Sequence, residues 1–407
     1  MPDHHDGPAT ERPRFGFRVE ARAPGGSARA GRLVTPHAEV ETPVFMPVGT
    51  HGSVKALTFE QVSATGSRLI LGNTYHLHLR PGHELIRALG GLHRFQGWDG
   101  ALLTDSAGFQ VFSLADLRRV DEDGVSFRSH LDGRPLRFTP ELSMEVQLAL
   151  GADIVMAFDH CVAHGAAPAA VAAAVDRTTQ WLARCVAAFG PGGRHHPGDH
   201  ERVLFGIMQG GTDPGERRRS AEAVAGFDLP GYAIGGLSVG EPSEALHETS
   251  ALAAALLPDD RPRYLMGVGF PDDIVAAVAG GVDMFDCVLP TRMGRTGTAL
   301  TRDGRLVVKN AVYARDEAPL DAECGCPVCR RHSRAYIRHL LSAGEILGLT
   351  LTSLHNLHFY QDLMAGIRDS LRAGRFDAHA RGVVARWQDG ERRRRAEAAG
   401  PRGGGSP

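Results

Sequence analysis

The chain has 407 residues, a net charge of −2 and 43% apolar residues, enough for one large domain of roughly 250–300 residues and a smaller one. No run of about 18 apolar residues occurs, which excludes a membrane-spanning helix. The near-neutral balance excludes a polyelectrolyte, so any nucleic-acid site is a local patch. The opening MPDHHDGPATERPR has no apolar segment of the kind a secretory signal needs, which points to a soluble cytoplasmic protein.

Residues 1–13 are polar and read as a disordered tail. Eight short apolar runs follow: VFMPVG (44–49), RLILGN (68–73), ALLTDS (101–106), DIVMAFD (153–159), VLFGIMQG (203–210), YAIGGL (232–237), YLMGVG (264–269) and VDMFDC (282–287). Apolar runs of this length, each closed by glycine or polar residues, read as strands of a parallel sheet buried on both faces. Helical patterns separate many of them. PELSMEVQLALG (140–151) repeats its apolar residues at helical spacing, PDDIVAAVAGG (271–281) opens on proline and acids and stops at glycines, and SEALHETSALAAALL precedes the seventh run. GPGGRHHPGDH (190–200) reads as an exposed loop. Eight such units predict a (β/α)8 TIM barrel over 14–309. An open doubly wound sheet is the alternative, but no G-x-G-x-x-G follows the first strand.

After the barrel, ECGCPVC (323–329) clusters Cys324, Cys326 and Cys329, while Cys161, Cys185 and Cys287 are scattered. Three thiols so close can wrap a tetrahedral ion more readily than they can pair, which predicts one structural zinc in a subdomain at 310–360. The fourth ligand lies among His332, His339, His355 and His358. His355 is favoured because GEILGLT reads as a helix that returns the chain to a loop, LTSLHNLHF. A helical region at 361–390 is expected to pack on the barrel, and 391–407 (ERRRRAEAAGPRGGGSP) to form a disordered basic tail.

Barrel enzymes gather reactive groups at the C-terminal ends of their strands. Asp105, Ser106, Asp159, Gln209, Gly235, Gly236 and Asp286 end predicted strands here. A strand-end aspartate is often just a helix cap, but three converging on one barrel mouth suit chemistry at an anomeric carbon. Within VDMFDC, Asp283 and Asp286 differ by an odd number and face opposite sides, so Asp286, nearer the strand end, is the one aimed at the mouth and Asp283 caps or pairs outside. Pro290 is expected to end that strand, and Cys287 to be a buried small residue. From 290 to 340, ten Arg/Lys stand against five Asp/Glu, either a phosphate-docking patch or a surface of internal salt bridges. Arginine replaces lysine almost throughout, leaving only Lys55, at a tight turn, and Lys309.

These motifs together resemble bacterial tRNA-guanine transglycosylase, the queuine tRNA-ribosyltransferases, over about 15–385. The match runs through FMPVGTHGSVKAL, ILGNTYHLHLRPG, GWDGALLTDSAGFQVFSL, DIVMAFDHC, FGIMQGG, GGLSVGE, YLMGVG, DMFDCVLPTRMGRTG, CGCPVC and SRAYIRHLLSAGEILG. The resemblance implies a homodimer that exchanges the wobble guanine of a tRNA anticodon loop (GUN anticodons) for a 7-deazaguanine base. It implies Asp286 as nucleophile and Asp105 as general acid/base. Base contacts are implied at Asp105, Asp159, Gln209, the Gly236 backbone, Leu237 and Glu241, with Phe109 and Met266 sandwiching the base. Lys55, Arg292 and Arg295 are implied as RNA contacts, and Cys324, Cys326, Cys329 and His355 as zinc ligands. Val239 stands where queuine-using eukaryotic members have glycine, which with Cys161 implies 7-aminomethyl-7-deazaguanine as the incoming base. Glu241 matches the residue that supports the backbone at its aminomethyl group. Two departures stand out: Ala107 replaces a glycine of the usual DSGG, and DHCVAHG replaces DECTPYP, putting His160 in place of a glutamate.

Overall fold

The computed structural model describes residues 14–108, 119–197 and 200–399. All eight apolar runs form strands, at 44–49, Leu69–Gly72, Ala101–Thr104, Ile154–Met156, Arg202–Met208, Gly231–Ile234, Arg263–Leu265 and Met284–Asp286. They pair in parallel in chain order. The first strand closes the barrel by splitting at Pro47, which cannot donate to a ladder. Its half Val44–Met46 pairs with the eighth strand, and its half Val48–Gly49 with the second. The protein is therefore a (β/α)8 barrel with a small additional unit near its C-terminus.

Alternation sorts the strand residues between two cores. Val44, Met46, Leu69, Leu71, Ala101, Leu103, Ile154, Met156, Val203, Phe205, Ile207, Tyr264 and Met284 fill the barrel interior. Their neighbours Phe45, Ile70, Leu102, Val155, Leu204 and Phe285 face the surrounding helices. The helix Pro140–Leu150 forms where expected: Thr139 caps it through the Leu142 amide, proline occupies its first turn, and Gly151 ends it in a left-handed conformation.

An antiparallel sheet of Gly16–Arg22, Arg29–Val34 and Glu39–Thr42 covers the N-terminal ends of the barrel strands. Phe15, Leu33 and Val40 continue the interior core there. Buried ionic groups tie this plug down. Arg29 holds Asp283 through Nε at 2.9 Å and Nη2 at 2.6 Å. The Phe15 amide donates to Glu201 Oε2 at 2.7 Å, and Asp153 receives His37 Nδ1 at 2.6 Å. Asp283 thus faces away from Asp286, as alternation required, and pairs near the N-terminal end of the strand. A second antiparallel sheet, Arg119–Asp121, Gly124–Arg128 and Pro135–Phe138, follows the third barrel strand.

The C-terminal region differs from expectation in five respects. The strand ends at Asp286, and Pro290 lies inside a helix, Leu289–Thr296, where proline is tolerated in the first turn. LTSLHNLHF is not a loop: it sits within one continuous helix, Ile346–Arg372, in which Thr352 Oγ1 bonds back to Gly348 O and Asn356 bonds to Pro290, Thr298 and Leu300 instead of breaking the helix. That helix crosses the expected 360/361 boundary. The hairpin Thr298–Thr301/Gly304–Val307 shares a core with the cysteine cluster, so this unit begins near 298 and not 310. The last helix, Phe376–Ala399, runs past residue 390 into the expected tail, and Glu391 takes Arg305 Nε at 3.0 Å. The segments 1–13 and 400–407 lie outside the described residues, as do two positions of the 190–200 loop, in which Arg194–His195 pairs with the fifth barrel strand. No described helix is long and apolar enough to cross a membrane.

Candidate active site

The C-terminal ends of the strands surround a cavity of about 330 Å³ lined by Asp105, Asp159, Asp286, Gly236, Leu237, Val239, Met266 and Cys161, among others. Of the site residues expected from the sequence, Asp105, Asp159, Gly236, Leu237, Met266 and Asp286 line this cavity, whereas Gln209, Glu241, Lys55, Arg292, Arg295 and the four candidate metal ligands do not. Phe109 lies outside the described residues.

Asp286 ends the eighth strand two residues beyond inward-facing Met284. Its Oδ1 accepts two hydrogen bonds, from Tyr264 Oη at 2.5 Å and the Gly267 amide at 2.8 Å. Its Oδ2 has no protein partner among the described residues. Burial raises its pKa, and the two donors counteract that. Burial, then the charge of Asp286, pushes the Tyr264 phenol well above its ordinary range, so it remains a donor. Tyr264 carried no mark as a site residue in the sequence. The signal was its place two residues before Met266 on an inward face.

Asp105 follows the third strand. Its Oδ1 accepts from the Thr74 amide at 2.8 Å, and its Oδ2 takes the Asn73 side-chain amide. Both donors open the short helix after the second strand, so Asp105 is braced against a neighbouring loop; its Oδ1 also accepts from the Ala107 amide at 3.3 Å. Asp159 is buried. Ser106 Oγ donates to its Oδ1 at 2.7 Å and Gln209 Nε2 to its Oδ2 at 2.6 Å. Burial pushes its pKa up to about 6, and the charge of Asp105 adds to the effect. Three carboxylates thus occupy one cavity in different settings, the arrangement that separates acid, base and nucleophile roles.

Gln209 Oε1 is buried without a partner. It sits beside Gly236, where a Cβ would come within 2.3 Å of it and where φ is +66°, so only glycine lets the two approach. Glu241 accepts from the Ser238 amide and, at 3.0 Å, from the Val239 amide, which fixes the loop beyond Leu237. Burial drives the thiols of Cys161 and Cys287 up to about 12, so both are neutral. Cys287 is half-buried and lines the cavity, a correction to its expected burial. His76, unmarked in the sequence, also lines it. Burial, then the charges of His51, His130 and Lys55, lowers its pKa to about 4.

The two departures have structural answers. Ala107 sits fully buried at φ +70°, in the left-handed region its glycine counterpart would favour, a strain of roughly 1–2 kcal/mol. His160 does not line the cavity. Its amide donates to Thr178 Oγ1 at 3.0 Å, and Arg177 Nη1 lies 3.0 Å from its Nδ1. Guanidinium only donates, so Nδ1 accepts there.

The basic patch divides. Arg302, Arg305 and Arg334 are committed to internal pairs with Asp321 and Asp362, Glu391, and Asp316 respectively. Arg292 and Arg295 have no ion pair among the described residues. Both ride on Leu289–Thr296, three and six residues after this helix begins. Exposed Lys55 likewise has no ion pair among the described residues. Gly294 on that helix presses against Ser353, where a Cβ would come within 2.7 Å of the backbone. Asn356 Nδ2 donates to Pro290 O at 2.9 Å.

Two residues after Ser353, His355 Nδ1 faces Cys324, Cys326 and Cys329 Sγ at 3.7, 3.5 and 3.3 Å. The four ligand atoms all lie within 4.8 Å of one another, the size of a tetrahedral metal shell. His355 Nε2 lies 2.9 Å from Leu300 O, which sets the tautomer that leaves Nδ1 for a metal.

A sequence profile described as queuine tRNA-ribosyltransferase matches residues 25–389. A queuine tRNA-ribosyltransferase of Pelotomaculum thermopropionicum is 57% identical over 362 residues, 88% of this chain and 95% of that protein. One of Symbiobacterium thermophilum is 55% identical over 384 residues, 94% of each chain. One of Thermus thermophilus is 55% identical over 367 residues, 90% of this chain and 93% of that protein. With a profile spanning most of its length and relatives this similar from end to end, the chain belongs to the queuine tRNA-ribosyltransferase family of pentosyltransferases.

Proposed function

We propose that the protein exchanges the wobble guanine of tRNAs with GUN anticodons for 7-aminomethyl-7-deazaguanine, a step in queuosine synthesis, through a covalent ribosyl–Asp286 intermediate. The observation that carries the reading is the state of Asp286: both of its donors fall on Oδ1, leaving Oδ2 as the attacking oxygen. Oδ2 attacks C1′ of the ribose, the C1′–N9 bond breaks, and its electron pair passes to the departing base. Asp105 gives that base a proton and takes one from the incoming base. Attack of the incoming base on C1′ then releases Asp286, with retention overall. Tyr264 and the Gly267 amide stabilise Oδ1 throughout as it changes from carboxylate to ester carbonyl.

Asp159 accepts from the N–H groups of the purine-like edge, and Gln209 and the Gly236 amide bind the opposite carbonyl, with Leu237 beside them. A base lacking these groups leaves buried polar atoms unpaired, which penalises it heavily. Met266 forms one face of the slot, and Phe109 is proposed for the other. Val239 and Cys161 wall the far end, which supports the small aminomethyl base over queuine with its cyclopentenediol. Glu241 steadies the backbone that meets the aminomethyl group.

Arg292, Arg295 and Lys55 bring down the anticodon loop, whose flipped base is read in the cavity. The metal suited to three thiolates and an imidazole is zinc, one per chain. With four protein ligands it has a structural role: it fixes the helix that braces Leu289–Thr296 beside Asp286. Exposed Tyr336, Ile346 and Leu347 on this unit support homodimer formation. The reading places the protein in the cytoplasm, where its tRNA is.

The test is adduct formation with tRNA. The parent should form a denaturation-resistant adduct, and Asp286→Asn should bind tRNA without one. Base exchange by Asp286→Asn at the parental rate would overturn the nucleophile. Efficient queuine incorporation with none of the aminomethyl base would overturn the base assignment.

A further inference from the structure

Arg217 is the buried cation that the chemistry above does not use. It is fully buried on the helix Pro214–Ala225, yet no carboxylate among the described residues pairs with it. Its Nε donates to Gly211 O at 2.8 Å and its Nη1 to Met208 O at 3.2 Å. Its Nη2 is buried with no partner. An arginine buried without a counter-ion is costly unless its charge is used. Desolvation lowers its pKa only to about 10, so it is charged at neutral pH.

What Nη2 adjoins gives it a use. Gln209 Oε1 is also buried without a partner, so no hydrogen bond joins it to Nη2 in the empty pocket, but both atoms lie near the same glycine, Gly236. Both fall within 4 Å of the point a Gly236 Cβ would occupy. One is a permanent donor and the other an acceptor. We propose that Arg217 is a positioning residue that locks the amide of Gln209 with Oε1 turned back and Nε2 turned forward, so that the pocket selects bases bearing a carbonyl acceptor opposite Asp159.

In the empty pocket Asp159 reinforces this orientation by taking Nε2. Once a base occupies the site, the Asp159 oxygens are engaged by its N–H groups and that hold is lost. Arg217 remains. A flipped amide would set NH2 against guanidinium at the back and oxygen against carbonyl at the front, two like pairs in a buried setting. Arg217 therefore acts through Gln209 and touches no substrate.

The inference rests on the guanine-exchange reading, and its test keeps the two apart. Exchange of labelled guanine by the parent, with none by Asp286→Asn, secures the reading independently. Arg217→Met should then raise the KM for guanine about tenfold and reduce the preference for guanine over 6-thioguanine, a weaker acceptor, by a similar factor. The KM for tRNA should stay within twofold. Arg217→Lys, which also loses the guanidinium's carbonyl contacts but keeps a donor, should stay within about threefold of the parent on both base measures. In a Gln209→Ala background, Arg217→Met should change neither. A base KM and preference within twofold of the parent in folded Arg217→Met would overturn the proposal, as would equal losses in the Lys and Met variants. If Arg217→Met does not fold, Gln209→Glu tests the same lock: Arg217 binds one carboxylate oxygen, the other meets the base carbonyl, and guanine KM rises at least tenfold. A rise under twofold would overturn it.

Discussion

Replacing Asp159 by asparagine should make the protein more stable and nearly inactive. Asp159 is buried with its pKa raised from 3.8 to about 6, burial being the main cause. At about 1.4 kcal/mol per tenfold change in acidity, ionising it in the folded state costs about 3 kcal/mol at neutral pH. Because the folded value lies above the ordinary one, the favourable contribution of this carboxyl is full below about pH 3.8 and is lost as pH rises through about 6. Asparagine stays neutral throughout. Its advantage over the parent should be under ~1 kcal/mol near pH 4 and grow to ~3 kcal/mol near pH 8. The variant keeps an acceptor for Ser106, sets its Nδ2 against Gln209 Nε2 in place of the Oδ2 acceptor, a donor-to-donor contact that subtracts a pH-independent amount from this gain, and loses the charged acceptor for the base. Two hydrogen bonds to a charged group, at ~1.5–3 kcal/mol each, correspond to a loss of roughly 10²–10⁴ in exchange. Denaturant unfolding from pH 5 to 8 at fixed metal, beside base-exchange rates, measures both. The reasoning is refuted if the variant is less stable at pH 8, if the difference is flat between pH 5 and 8, or if exchange stays within tenfold of the parent.

Tyr264→Phe removes a 2.5 Å bond to the nucleophile. Single-turnover adduct formation should slow by roughly 10–100-fold with tRNA affinity unchanged; the reverse pattern would contradict its role. Cys326→Ser, or chelation of the metal, should lower the melting temperature and weaken tRNA binding, because the His355 helix braces the helix carrying Arg292 and Arg295 through Ser353 and Asn356. Unchanged tRNA binding by folded, metal-free protein would break that link. Arg292→Ala and Arg295→Ala should each reduce the salt dependence of tRNA binding by about one counter-ion and leave base affinity alone, checked by titrations across ionic strengths.

Much of this architecture was legible because barrel strands carry their signal locally. The eight apolar runs form the barrel strands, and five of them, the third to sixth and the eighth, end in candidate site residues. The same alternation separated Asp286 from Asp283 correctly, though not the partner of Asp283: Arg29 lies 254 residues away, and no local pattern announces such a pair. Tyr264 and Asn73 were not singled out for the same reason, since each makes its contact with a residue at the end of another strand, whereas Arg217 bonds to Met208 and Gly211 just before its own helix. The helix holding His355 was misread because Thr, Ser and Asn are turn formers in isolation. Here Asn356 spends its amide on Pro290 and Thr298 carbonyls and on the Leu300 amide instead. Three of the ten basic residues of the patch, Arg302, Arg305 and Arg334, likewise proved to be in internal ion pairs, which composition alone cannot distinguish from an RNA surface.

The central claim is base exchange at the wobble position, and one measurement addresses it directly. The protein is incubated with radiolabelled guanine and an unmodified tRNA bearing a GUN anticodon, and the label is mapped in the RNA. The account predicts label at the wobble nucleotide alone, chased out by 7-aminomethyl-7-deazaguanine. No incorporation by folded, metal-replete protein, or label at any other position, would contradict it.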